Sequence, residues 1–214
     1  MKVSIRNYLN EICKSLSNNA ISISTENDHG RTDSLKDEES VRNKLISLGY
    51  DISKPESPTM GEDIVLNQYE GEIVDIKITQ FSNVTTDSSN ATSSPEAIAK
   101  LLTGFKARGW RKATEQLQRT DGKVGNLWYI AICKNNPEIV IYRSIKELHY
   151  KSYKWNLTNI LQINWVNEYT HGPVERTDEE FKDLFLTGLG KCFETRSRDT
   201  EFLRNYYNEK KKVE

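Results

Sequence analysis

Three ionisable residues, Asp63, Asp75 and Lys77, stand in a stretch that otherwise reads as apolar β-structure. The stretch is GEDIVLNQYEGEIVDIKITQ, residues 61–80, and it offers two short strands at 64–66 and 72–79 with a turn marked by Gly71. Strand side chains alternate, so Ile73, Asp75 and Lys77 share one face while Glu72, Val74, Ile76 and Ile78 share the other. Strand interiors disfavour Asp and Lys, so their presence asks for a chemical reason. Across a strand pair the Asp63 carboxylate can approach that of Asp75. Two such groups repel unless a divalent cation neutralises them or one is protonated. Oxygen-only ligation suits magnesium, which accepts one or two carboxylates and a phosphate and keeps several waters. Lys77 lies about 6–7 Å up the strand from Asp75. There it can offset the pair's charge, hold a metal-bound water or face a phosphate oxygen in the transition state. The set suits hydrolysis of a phosphodiester. The plain alternative is an edge strand carrying a surface Asp75–Lys77 pair, which leaves Asp63 unexplained.

The elements on either side must position these groups. Residues 3–18 have the spacing of an amphipathic helix. Residues 32–34, Thr-Asp-Ser, offer N-cap chemistry for a second helix that runs to about Leu48 and is closed by Gly49. Its core face reads Leu35, Glu38, Val41 or Arg42, Leu45 and Leu48, with Glu38 in the middle of an apolar stripe. Either that carboxylate faces the strand pair, or it lies at the stripe's edge with its head in water. Residues 53–60 read as a linker, with Pro55 and Pro58. Residues 81–96, FSNVTTDSSNATSSPE, are too poor in apolar side chains to fold alone and read as a surface loop.

Pro95 opens a further helix. Residues 100–123 within and after it hold seven Lys and Arg against two acids, a net of +5 in a chain whose total is −1. One-signed charge beside Trp110 favours phosphate contact over an idle solvated face. Lys106, Arg108, Arg111 and Lys112 are the DNA-binding candidates. Residues 126–134 form a buried central strand and 138–142 its neighbour. Ser144 caps a short helix over 145–150. Residues 155–166 fit strand or helix. Thr177 caps an amphipathic helix with Phe181, Leu184, Phe185 and Leu189 inward, and a last helix spans 200–212. This order predicts an α/β fold with a mixed central β-sheet flanked by helices, in a single domain over 1–214. Its catalytic core covers about 32–150 and its C-terminal helical part about 151–214, suited to dimer or DNA contacts.

Composition excludes several classes. No apolar run approaches a membrane span, and the N-terminus is too polar for a signal peptide. Cys13, Cys133 and Cys192 have no paired spacing and fit reduced thiols in a cytoplasmic protein. His29, His149 and His171 are isolated. TGLGK at 187–191 lacks the strand and spacing of a phosphate-binding loop, and neither GxSxG nor HExxH occurs.

Asp63, an eleven-residue gap and then Asp75-Ile76-Lys77 resembles the motif of the PD-(D/E)xK nuclease superfamily. The segment GEIVDIKITQF is similar to the Asp-Ile-Lys form of type II restriction endonucleases of the EcoRV kind. The resemblance implies a restriction-endonuclease-like fold and a magnesium-dependent endonuclease acting on double-stranded DNA. By the same resemblance Asp63, Asp75 and the Ile76 carbonyl hold Mg2+, Lys77 orients or activates the attacking water, and Glu38 is the added acid from a preceding helix, with Glu39 behind it. The products would be a 5′-phosphate and a 3′-hydroxyl. Symmetric cutting at a palindrome calls for a homodimer. Base readout falls to segment 82–94 and to residues 106–112, whose Asn and Arg can make bidentate base contacts. Glu62 stands where the family has proline. A structure-specific or repair nuclease of the same fold, and a non-catalytic DNA-binding module, are the alternatives.

Overall fold

The computed structural model describes residues 3–19, 21, 23, 30–55, 63–70, 72–82, 88–91, 102–104, 109–120, 124–156 and 160–211. A five-stranded sheet is built from β1 (Ile52–Ser53), β2 (Ile64–Leu66), β3 (Glu72–Thr79), β5 (Trp128–Cys133) and β6 (Val140–Ser144), side by side in that order. Only β3 and β5 run parallel, and the other neighbours are antiparallel. The chain is therefore α/β with a mixed central sheet flanked by helices, as its sequence predicts. Among the described residues no helix is long and apolar enough to cross a membrane.

β5 is buried at all six positions, which fits its near-continuous apolar run and its place between two strands. Its side chains alternate between two cores. Trp128, Ile130 and Ile132, with Val74 and Ile76 of β3, meet α1 (Ile5–Asn18) through Leu9, Ile12 and Leu16, and α2 (Gly30–Ser47) through Val41 and Leu45. Tyr129 and Ala131 face the other way. There they meet Leu117 of α3 (Gly109–Arg119), Phe181, Phe185 and Leu189 of α5 (Asp178–Lys211), and Leu161 and Ile163 of β8 (Ile160–Asn164). The sheet is thus a divider with apolar side chains on both faces.

Several sequence expectations change here. α2 begins at Gly30, before the expected cap, and its core stripe is Asp37, Val41 and Leu45, while Leu35 is 61% exposed. Two stripes a fraction of a turn apart compete in this helix, and packing against the sheet selects the one with Val41 at its centre. Residue 53, read as linker, pairs instead with Val65. The turn between β2 and β3 is a 3-10 turn, Asn67–Tyr69, closed by Glu70 in the left-handed region, while Gly71 lies outside the described residues.

The segment read as a surface loop contains β4 (Ser88–Asn90). It joins β8 and β7 (Tyr153–Asn156) in a second, three-stranded sheet. The strand is held by tertiary bonds, not by an apolar pattern: Trp165 Nε1 donates to Ser89 Oγ at 2.7 Å, and Tyr129 Oη donates to the Ala91 carbonyl at 2.9 Å. Of the stretch 155–166, residues 155–156 end β7, 160–164 form β8 and α4 (Trp165–His171) follows directly, while 157–159 lie outside the described residues. The basic helix expected to run on from Pro95 is interrupted. Gly104 and Gly109 take positive φ, and α3 starts afresh at Gly109. The start of that helix, at residues 95–101, lies outside the described residues.

Thr177 makes the expected cap as a reciprocal box: Glu180 N donates to Thr177 Oγ1 at 3.2 Å and Thr177 N donates to Glu180 Oε2 at 2.8 Å. The two C-terminal helices expected are one, with Gly188 and Gly190 inside it.

Candidate active site

The β2–β3 register ends with Ile64 opposite Val74, and Asp63 lies one residue beyond it at the open end of β2, where its charge is felt at Asp75. Asp63 is held there through its own backbone and side chain. Its N–H donates to the Val74 carbonyl at 3.1 Å, and its Oδ2 accepts the Ile76 N–H at 2.6 Å. The Ile76 backbone therefore faces the β2 edge. Alternation along an antiparallel ladder turns the Ile76 carbonyl to that edge as well.

On β3, Asp75 pairs in register with Tyr129 and Lys77 with Ala131, so both ionisable side chains share the face of the sheet that carries the second core. Asp75 is only 2% exposed. Lys77 Nζ stands 2.8 Å from Asp75 Oδ2. That Oδ2 is buried, and the Lys77 ammonium is the charge it pairs with. Burial pushes the Asp75 carboxyl well above the usual carboxylate range. Lys77 pulls it back down and the charge of Asp63 pushes it further up. Burial also pulls the Lys77 ammonium down, but Asp75, Asp63 and Glu38 outweigh it, so its pKa stands above the ordinary lysine value. The same burial, with the Asp75 charge behind it, raises the Tyr129 phenol.

Asp63, Asp75 and Lys77 thus come together as their spacing predicts. Glu38 does so in part. It is half-buried on α2, whose core stripe packs on the opposite face of the sheet, and its charge is felt at Lys77. Among the described residues no three His, Cys, Asp or Glu side chains gather into a group that could hold a metal by themselves. Magnesium does not need three, since it binds through one or two carboxylates and fills the remaining positions with waters and phosphate oxygens. A buried Asp75 carboxylate, a second carboxylate at the end of the ladder and a backbone carbonyl on the same edge make an all-oxygen donor set. These residues fit a hard divalent cation.

Of the DNA-binding candidates, Arg111 and Lys112 are exposed in the first turn of α3, and Arg111 Nε also contacts Glu115 Oε1 at 3.1 Å. Leu117 anchors that helix in the core on the Asp75 face. Lys106 and Arg108 lie outside the described residues. In the base-reading segment 82–94, Ser89 and Asn90 are engaged within the second sheet, Asn90 Oδ1 accepting from Gln162 Nε2 at 3.1 Å.

Two participants went unread as site residues. Tyr129 backs Asp75 through sheet register, which needs the pairing of distant strands to be known. Arg42 Nη1 donates to the Asp63 carbonyl at 3.2 Å. Its signal was the i, i+4 spacing from Glu38, seen in sequence only as an alternative core position.

Compared with protein-family models, with curated proteins and with solved structures, the chain matches none.

Proposed function

We propose that the chain is a magnesium-dependent endonuclease of the PD-(D/E)xK kind, with a restriction-endonuclease-like core, that cuts double-stranded DNA at a fixed site as a type II restriction enzyme. One observation carries this reading above the rest. Asp63 lies at the end of the β2–β3 ladder where its charge is felt at Asp75, Lys77 follows two residues on the same face, and its ammonium stands 2.8 Å from a buried Asp75 oxygen. A surface ion pair on an edge strand does not account for it, because β3 is flanked by strands on both sides and Asp75 is buried. A helix bearing Glu38 before the strand pair, and a helix with exposed Arg111 and Lys112 after it, agree with the same reading.

Asp63, Asp75 and the Ile76 carbonyl would hold the cation, which when bound supplies positive charge to the phosphate and acidifies a water. Lys77 orients that water for in-line attack on phosphorus. The water oxygen forms the new P–O bond as the bond to the 3′ oxygen breaks, the attacking water gives its proton to solvent and the 3′ oxygen takes one from solvent, leaving a 5′-phosphate and a 3′-hydroxyl. Glu38 adds negative charge beyond Lys77 and keeps the ammonium protonated. Arg111 and Lys112 contact the phosphate backbone, and a homodimer would present two such sites to a palindrome.

Incubation of the purified chain with plasmid and magnesium tests this. Discrete fragments that disappear in Asp75→Ala are expected. A smear or branch-specific nicking points to a structure-specific nuclease of the same fold. Binding without cleavage under any divalent ion points to a DNA-binding module.

A further inference from the structure

Asp63 is useful to a cation only if its short strand end stays in register with β3. β2 contributes three residues to the sheet, and Asp63 precedes the first of them. Two of its restraints come from β3 itself, through Val74 and Ile76. A third arrives from a different element, as Arg42 Nη1 of α2 donates to the Asp63 carbonyl. That carbonyl belongs to the same residue whose carboxylate stands at the acid pair.

Arg42 is well placed for this task. The residue before it, Val41, is fully buried and Leu45 is buried one turn on, so the helix under Arg42 is fixed against the sheet. Its guanidinium is always charged and presents a rigid planar fork, which loses less freedom on binding a carbonyl than an ammonium on a flexible stem. Glu38 lies one turn earlier and contributes to the charge around Lys77. α2 therefore addresses the site twice from one side, through a carboxylate and through a guanidinium four residues apart.

We propose that Arg42 is a positioning residue. It ties the Asp63 main chain to α2, and so keeps the Asp63 carboxylate where it binds a divalent cation, an inference that rests on the nuclease reading above. Groups that hydrogen-bond the ligands of a metal act in this way, orienting ligands they do not replace.

The test uses the full chain, with Mn2+ as the probe read by the paramagnetic signal of the free ion, without DNA. Arg42→Ala is expected to weaken Mn2+ binding about tenfold and to raise the magnesium concentration for half-maximal cleavage by the same factor. Arg42→Lys restores most of the affinity. Thermal unfolding in chelator, close to that of the parent, separates positioning from general stability. Unchanged Mn2+ affinity in Arg42→Ala overturns the proposal. So does a weakened affinity that follows a drop in unfolding temperature and that Arg42→Lys does not rescue. A parent that binds Mn2+ yet cuts no DNA sinks the nuclease reading while leaving Arg42's role to be read from the ion. A parent that binds no Mn2+ overturns both.

Discussion

The Asp63 carboxylate accepts the backbone N–H of Ile76 at 2.6 Å, so the first acid is oriented by the residue lying between the second acid and the lysine. A side-chain oxygen thus continues the ladder where β2 has run out, and the acid pair is locked by main chain. The bond needs an oxygen acceptor and not a charge. Asp63→Asn should therefore keep the fold within about 1 kcal/mol and weaken divalent-cation binding at least about tenfold. Asp63→Ala, which leaves the Ile76 amide unpaired, should cost about 1–3 kcal/mol. Chelator-treated unfolding beside Mn2+ titration separates the two effects, and equal stability losses in both variants would refute this role of the bond.

Asp75 gives a pH dependence whose sign follows from its raised carboxyl. A group with a folded-state pKa above its unfolded value contributes stability that is fully present below the unfolded value near 3.8. That stability is lost as pH rises through the folded value. Ionising this buried acid in the metal-free protein therefore carries a cost. Asp75→Asn should raise metal-free stability at pH 7.5 by on the order of 1 kcal/mol, since Lys77 keeps Asp63 and Glu38 as negative neighbours. The gain should shrink as pH falls towards 4, and magnesium should no longer stabilise the variant. A fall in stability at pH 7.5 would mean that the 2.8 Å contact with Lys77 outweighs burial.

Lys77 is expected to act on the rate more than on the fold. Its ammonium is mostly covered and sits among three acids. Lys77→Ala should lower the single-turnover rate about a hundredfold or more while DNA binding survives. Lys77→Arg should recover little, because a planar fork cannot reproduce a compact point charge beside Asp75. Single-turnover cleavage at saturating magnesium is the measurement, and a variant that retains the parental rate removes Lys77 from the chemistry.

The phosphate contact proposed for Arg111 and Lys112 is measurable. Replacing both with Ala should weaken binding across sequences alike and lower the slope of log affinity against log salt by about 2. The loss of the exposed Arg111–Glu115 pair should barely change stability. Fluorescence anisotropy over a salt series reads the slope directly.

How much of this was legible in the sequence depended on how local each signal was. The alternation of β3 and the apolar run of β5 are local, and they placed Asp75 and Lys77 on one face before any pairing was known. Asp63 followed because pairing the two neighbouring strands brings the residue that opens the first back towards Asp75. β4 was not legible, since Ser88-Ser89-Asn90 has no apolar alternation and becomes a strand through β8, Trp165 and the backbone at Ala91. The stripe of α2 shares Val41 and Leu45 with the expected one but buries Asp37 rather than Leu35, because the spacing of Val41 and Leu45 fits either acid, Asp37 or Glu38, and only the sheet beneath decides. The break expected before residue 200 is absent, because one helix runs from Asp178 through Gly188 and Gly190 to Lys211.

That last case leads to a test of the fold itself. Gly188 lies inside α5, where glycine ordinarily costs about 1 kcal/mol relative to alanine. A Cβ built at Gly188 would stand 2.0 Å from Trp155 Cε2 on β7, far inside van der Waals contact. Trp155 in turn packs edge-on against Phe185, ring centroids 5.3 Å apart, so the indole has little room to withdraw. The helical gain is thus opposed by overpacking of about 1–3 kcal/mol or more, and Gly188→Ala should be net destabilising. The double variant Gly188→Ala with Trp155→Leu should recover part of the loss, because the smaller side chain vacates the space the methyl needs. Thermal unfolding of the two single variants and the double variant closes the cycle, and additive losses would show that Gly188 and Trp155 are not coupled.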